Sequence, residues 1–123
     1  MILVDTSIWI DHLRATDDSL VRMLRDGQVM AHPFVTGELA LGNLANRSGV
    51  LLALKDLPQT PVATDDEVLC CIAENSLFGI GIGYIDAHLL AAVLLVPGST
   101  LWTRDKRLLV ASTRLGIAAN TAH

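Results

Sequence analysis

Ile2-Leu3-Val4-Asp5-Thr6-Ser7 is the stretch on which the reading of this chain turns. Three apolar residues, two of them β-branched, have the pattern of a short buried strand. The strand runs directly into a carboxylate and two hydroxyls. An acid at the end of a buried strand is costly to desolvate unless something pairs with it. In a sheet with helices on its faces, strand ends form the crevice where ligands bind. Asp5 is therefore read as one wall of a metal site whose other walls come from later segments.

Working outward, residues 7–13 read as a short helix with Ile8, Trp9 and Leu13 as its apolar members. Asp17-Asp18-Ser19 caps a second helix over 20–25, ended by Asp26-Gly27. Residues 28–32 are a weaker strand, and Pro33 suits the first turn of a helix over 34–44. Residues 46–49 are a turn or an irregular start to a helix through Leu54. Pro58 and Pro61 bracket a connector with a minimal strand near Val62. Thr64-Asp65-Asp66-Glu67 starts a helix that continues towards Leu77. Glycines at 79, 81 and 83 break it, and 84–96 form a very apolar helix stopped by Pro97-Gly98. A strand over 100–103, a helix over 105–114 and a last strand over 117–120 complete the chain. Strands alternating with helices imply an α/β fold, a parallel sheet with helices packed on it, in one domain spanning 1–123.

Apolar residues make up 51% and charged residues 18% of the 123, which suits a packed core and excludes disorder. Cys70 and Cys71 are adjacent and have no other cysteine to bridge with, so they read as two buried thiols on one helix in a reducing compartment. Asp5 and Asp11 interrupt any signal-peptide pattern, and the longest apolar run, 89–96, is too short to span a bilayer. The expectation is a cytoplasmic protein with no membrane role.

The thirteen acids sort by neighbourhood. Asp17, Asp18, Asp65, Asp66 and Glu67 stand at helix starts, where negative charge is favoured. Asp11, Asp26, Asp56 and Glu74 lie beside polar residues or turns and read as solvated. Four remain. Asp5 and Asp105 follow strands, while Glu38 shares a helix face with Phe34, Val35, Leu41 and Gly42, and Asp86 with Ile82, Leu89 and Leu90. Each alone could pair with a basic residue or turn outward. Basic residues are nevertheless absent in sequence around Asp5, Glu38 and Asp86. One shared cation would satisfy all four, and oxygen-only ligands point to Mg²⁺ or Mn²⁺. Without the four, nine acids face nine bases, so the net charge of −4 belongs to the site and is weak reason to exclude a nucleic-acid substrate. A hard cation among acids suits phosphoryl transfer or hydrolysis.

Asp5-Thr6-Ser7 after its strand, Gly37-Glu38-Leu39-Ala40, Tyr84-Ile85-Asp86-Ala87-His88-Leu89-Leu90-Ala91-Ala92 and Leu101-Trp102-Thr103-Arg104-Asp105 together resemble the PIN domain. Within it they are most similar to the VapC toxins of bacterial toxin–antitoxin pairs. The resemblance covers essentially the whole chain, in order. It implies a three-layer α/β/α fold around a central parallel sheet and a Mg²⁺- or Mn²⁺-dependent endoribonuclease. It also implies an acidic cluster of Asp5, Glu38, Asp86 and Asp105, with Asp5 and Asp86 as direct metal ligands. Thr6, Ser7 and Thr103 match hydroxyl positions that hold the carboxylates or the scissile phosphate, and Asn120 lies near a further polar position. The implied partners are RNA, a second copy in a homodimer, and a small VapB-like antitoxin whose C-terminal segment fills the groove.

Other features have plainer readings. The glycines at 79, 81 and 83 lack a following Lys-Ser pair and read as a hinge. His88 reads as a packing or surface residue, Trp9 and Trp102 as core, and Arg14, Arg22 and Arg25 as solvated. An aspartyl-phosphate phosphatase is disfavoured by Ser7, where a second acid would stand. A phospho-receiver lacks its acidic pair and strand-end lysine. A catalytically silent PIN-like module binding RNA or protein is the alternative, and it would have lost one of the four acids.

Overall fold

β1 (Ile2–Val4) is the middle strand of the sheet in the computed structural model, which describes residues 1–120. It pairs in parallel with β2 (Val29–Met30) on one edge and with β3 (Thr100–Trp102) on the other. The register sets Ile2 against Val29 and Thr100, and Val4 against Trp102. Isolated parallel bridges, Ala31 to Gln59 and Leu101 to Ala118, extend the same pattern beyond both edges. Because every pairing is parallel, β1 and β3 deliver their C-terminal ends to one edge of the sheet.

The chain moves from β1 to β2 to Gln59 in one direction and then returns past β1 to β3. Right-handed crossovers place the helices of the outward and return journeys on opposite faces. One face carries α1 (Thr6–Arg14), α2 (Asp18–Arg25), α3 (Pro33–Leu41) and α4 (Arg47–Asp56). The other carries α5 (Asp65–Glu74), α6 (Tyr84–Leu94) and α7 (Lys106–Arg114). In accord with this, α3 packs on α1 and α4, while α5 packs on α6 and α6 on β3. The result is the three-layer α/β/α arrangement, and its topological switch point lies between β1 and β3.

Leu3, Val4, Ile8, Leu89, Leu90, Leu101 and Leu108 are fully enclosed where the layers meet, and Trp9 and Trp102 join them as core residues. Each such Leu or Ile contributes about 2 kcal/mol by leaving water. α6 is buried continuously from Ala87 to Val93, which is why its apolar residues show no single face. Ends are set locally. Thr64 and Glu67 form a reciprocal cap on α5, Asp17 caps α2 through Leu20 N, and His32 Nδ1 caps α3 through Phe34 N.

Several elements are shorter than their patterns. α3 ends at Leu41 because Gly42 leaves the helical region, and Asn46, in a left-handed conformation at φ 50°, then opens α4. α5 stops at Glu74, where the Asn75 side chain caps Cys71 O and Ser76 takes φ 52°. No strand forms at Val62; the pairing falls three residues earlier, where Ala31 N donates to Pro58 O and Thr60 N to Ala31 O. The last strand reduces to the bridge at Ala118. The thiols are not both buried: Cys70 is exposed and donates to Glu74 Oε1, while Cys71 is half-buried. α5 turns Val68 inward, and two residues on, Cys70 is carried round to solvent. Among the described residues no helix is long and apolar enough to cross a membrane.

Candidate active site

Asp5 stands where β1 becomes α1, with its N–H donating to Trp102 O of the neighbouring strand. As the N-cap of α1 it would ordinarily fold its carboxylate back onto helix N–H groups, but it makes no such bond. Ser7 Oγ and Thr103 Oγ1 each donate to its Oδ2 at 2.8 Å instead. With both protons committed there, the 3.4 Å approach of the two hydroxyls is a contact and not a third bond. The same hydroxyls accept from the loop after β3: Arg104 N donates to Ser7 Oγ at 3.1 Å, and Asp105 N to Thr103 Oγ1 at 3.1 Å. Backbone N–H groups of one strand end are thus relayed through two hydroxyls into the carboxylate of the other. Asp5 is only 6% exposed.

The other three acids reach the same crevice from separate elements. Asp105 caps α7, its Oδ1 accepting Arg107 N and Leu108 N at 3.0 Å. Asp86, in the first turn of α6, accepts Gly83 N on Oδ2 at 3.0 Å. Glu38 on α3 accepts Thr6 Oγ1 on Oε1 at 2.8 Å. Burial lifts the Asp86 carboxyl above its ordinary range, the Gly83 N–H opposes this, and the negative fields of Asp5, Asp105 and Glu38 add to the rise. Those fields link Asp86 electrostatically to the other three candidates. Their depths differ from the sequence reading. Asp5 is buried and Asp86 half-buried, but Glu38 and Asp105 are exposed. The α3 face carrying Glu38 leans inward only at its start: Val35 on it is fully buried, whereas Leu41 is 90% exposed.

Each acid uses one oxygen for a protein donor. No hydrogen bond from another described residue reaches Asp5 Oδ1, Glu38 Oε2, Asp86 Oδ1 or Asp105 Oδ2. None of the four is ion-paired among the described residues, where Arg104 pairs with Asp11 and Asp17 and His88 Nε2 approaches Asp65 at 3.5 Å. No three His, Cys, Asp or Glu side chains among the described residues stand where they could together hold a metal ion. Each of the four acids nevertheless keeps one oxygen clear of protein donors, the kind of ligand that a hard divalent cation takes.

Two supporting arrangements bring together residues distant in sequence. Arg104 turns away from its neighbour Asp105. Its guanidinium donates at 2.7 Å both to Asp11 on α1 and to Asp17 before α2, and lies 5.8 Å from the Trp102 ring centre. Asp11 is accordingly paired, not merely solvated, and Asp17 is held below the usual carboxylate range by Leu20 N and Arg104 in spite of burial. This clamp anchors the loop that carries Thr103 and Asp105. Second, His88 is a buried packing residue, wedged edge-on between Phe34 at 4.7 Å and Tyr84 at 4.8 Å, with His32 beyond Phe34 at 4.9 Å. Asp65 accepts the Tyr84 hydroxyl at 2.7 Å and lies 3.5 Å from His88 Nε2. The cluster ties α3, which carries Glu38, to α6, which carries Asp86. Thr6, Ser7 and Thr103 are found on the acids as hydroxyl donors, whereas Asn120 is exposed past the Ala118 bridge.

A parallel sheet whose switch point is flanked by Asp5 and Asp105, with Asp86 and Glu38 reaching in from two helices, defines a PIN-like α/β domain. No family model matches the chain. Ribonuclease VapC32 of Mycobacterium tuberculosis is 52% identical to it over 118 residues, 96% of this chain and 95% of that protein, in strains CDC 1551/Oshkosh and ATCC 25618/H37Rv alike. The chain belongs to the VapC ribonuclease family.

Proposed function

We propose that the protein is a metal-dependent endoribonuclease, the toxin of a toxin–antitoxin pair, hydrolysing RNA phosphodiester bonds at Asp5, Glu38, Asp86 and Asp105. The observation that carries this is the set of four carboxylates, each with one oxygen fixed by a protein donor and one free of such bonds, with no cation paired to any of them among the described residues. Membership of the VapC family supports RNA as the substrate.

Asp5 Oδ1 and Asp86 Oδ1 would hold Mg²⁺ or Mn²⁺, and Glu38 and Asp105 would complete the site. The bound cation would supply Lewis acidity towards the phosphate and a more acidic water. Ser7 and Thr103 hold Asp5 Oδ2, so the carboxylate does not fold back onto the α1 N–H groups and Oδ1 keeps no protein donor. Thr6 holds Glu38 Oε1 in turn. Glu38 and Asp105 are exposed, so either could meet an attacking water, orient it and take its proton. The Asp86 carboxyl is raised first by burial and then by the fields of the other three acids, and a bound cation would offset both.

The same reading assigns the protein to the cytoplasm, as a homodimer whose groove is filled by the C-terminal segment of a small VapB-like antitoxin. Asp5→Asn keeps the shape and the Ser7 and Thr103 contacts but removes the charge. Cleavage of a labelled RNA by that variant should be abolished while its circular dichroism and melting cooperativity match the parent. Undiminished cleavage by a clean preparation would remove Asp5 from the site.

A further inference from the structure

We infer that the groove along α7 is a binding track for the RNA strand as it leaves the acidic site, a subsite that deepens, and rests on, the ribonuclease reading. The groove has a volume of about 210 Å³ and is lined by Ile80, Lys106, Arg107, Val110, Ala111 and Arg114. Three of the nine basic residues of the chain meet there and no acid lines it. Its first lining residue on α7, Lys106, directly follows Asp105 in the chain, which sets one end of the groove beside an acid of the site.

The placement of these cations runs against local helix physics. Lys106 and Arg107 are the first two residues of α7, where the macrodipole disfavours positive charge. Lys106 is exposed and its side chain makes no hydrogen bond or ion pair with the described residues. Arg107 lies across the loop before α6, with Nη1 3.4 Å from Gly81 O. Gly81 is suited to this twice over: its φ is +82°, and an added Cβ would sit 2.6 Å from Arg107 Nη1. Arg114 reaches back to Asn75 O and Ser76 O at the end of α5. From Arg107 to Arg114 the helix rises about 10 Å, enough for cations to meet successive backbone phosphates. Between them Val110, 67% exposed, offers an apolar surface to a ribose or base. Cations at both ends, an apolar middle and continuity with the acids fit a single RNA strand.

The experiment uses the full chain carrying Asp5→Asn, so that RNA is bound but not consumed, and measures anisotropy of a labelled single-stranded 12-mer RNA across a salt series. Adding K106Q and R107Q should weaken binding at least tenfold. It should also flatten the slope of log affinity against log salt by about 1.4, since each single-strand phosphate contact contributes about 0.7. Lys106→Gln alone, at a side chain with no fold contacts, should flatten it by about 0.7, and Arg25→Gln on α2 should change neither quantity. Affinity and slope unchanged in a folded double variant would overturn the track. So would loss of binding to a Glu-rich peptide with RNA binding intact, which would make the groove a protein-docking site. If the parent protein cleaves nothing yet the slope changes as stated, the nuclease reading falls and the track stands.

Discussion

Replacing Thr103 with valine tests the relay that holds Asp5. The side chain is 5% exposed and nearly isosteric with valine, so the change removes one hydroxyl and little volume. Two bonds disappear: the 2.8 Å donation to Asp5 Oδ2 and the 3.1 Å acceptance from Asp105 N. A hydrogen bond to a charged group is worth about 1.5–3 kcal/mol, whereas Asp105 N, on an exposed residue, can turn to water at little cost. The expected loss of stability is therefore about 2 kcal/mol, read from urea unfolding without metal. The second consequence concerns the cation. Loss of a bond that orients a ligand weakens metal affinity about tenfold to a hundredfold. At Mn²⁺ one hundred times the parent dissociation constant, the parent gains about 2.7 kcal/mol and a tenfold weaker variant about 1.4 kcal/mol. At about 4 °C per kcal/mol, the Mn²⁺-induced rise in Tm should shrink by about 5 °C. Thr103→Ser, which keeps the hydroxyl, should recover most of that rise. A Thr103→Val protein with parental urea stability and an undiminished Mn²⁺ shift would refute the relay, whatever its activity.

EDTA should stop RNA cleavage and added Mg²⁺ or Mn²⁺ restore it; cleavage that persists in EDTA would refute the metal-dependent mechanism. His32 is held neutral down to about 4, from an ordinary 6.5, first by burial and then by His88. The unfolded chain therefore takes up its proton first as pH falls, and stability should drop by about 2 kcal/mol between pH 8 and pH 5. His32→Gln should flatten that dependence, and an unaltered pH profile would locate the sensitivity elsewhere. Arg104→Gln breaks the two 2.7 Å contacts to Asp11 and Asp17. These are partly exposed and screened, so the stability cost should stay within about 1 kcal/mol and shrink in high salt. Cleavage should nonetheless fall severalfold through the Asp105 loop, with partial rescue by lysine; a parental rate would show that the clamp does not position the loop.

The legible part of this protein was its periodicity and its misplaced charge. Ile2-Leu3-Val4 before Asp5, and Leu101-Trp102-Thr103 before Arg104 and Asp105, announced strands ending in acids. The capping residues at Asp17 and Thr64 set helix starts that the structure repeats. Those signals are local, because capping and alternation depend on neighbours within one turn or one strand. Helix ends were less legible: Gly42 and Asn75 stop their helices by backbone geometry and side-chain capping that compete with a continuing apolar pattern.

What the tertiary structure alone decided is which groups share a neighbourhood. Ser7 and Thr103, 96 residues apart, converge on one carboxylate oxygen only because β1 and β3 are parallel neighbours with Val4 opposite Trp102. Arg104 chooses Asp11 and Asp17 over adjacent Asp105 because α1 and α2 come back beside the loop. Lys106, Arg107 and Arg114 form one groove because α7 lies against the glycine loop. Charges and hydroxyls are written in sequence, but their partners are set by packing, since these interactions act through space and fall off within a few ångströms.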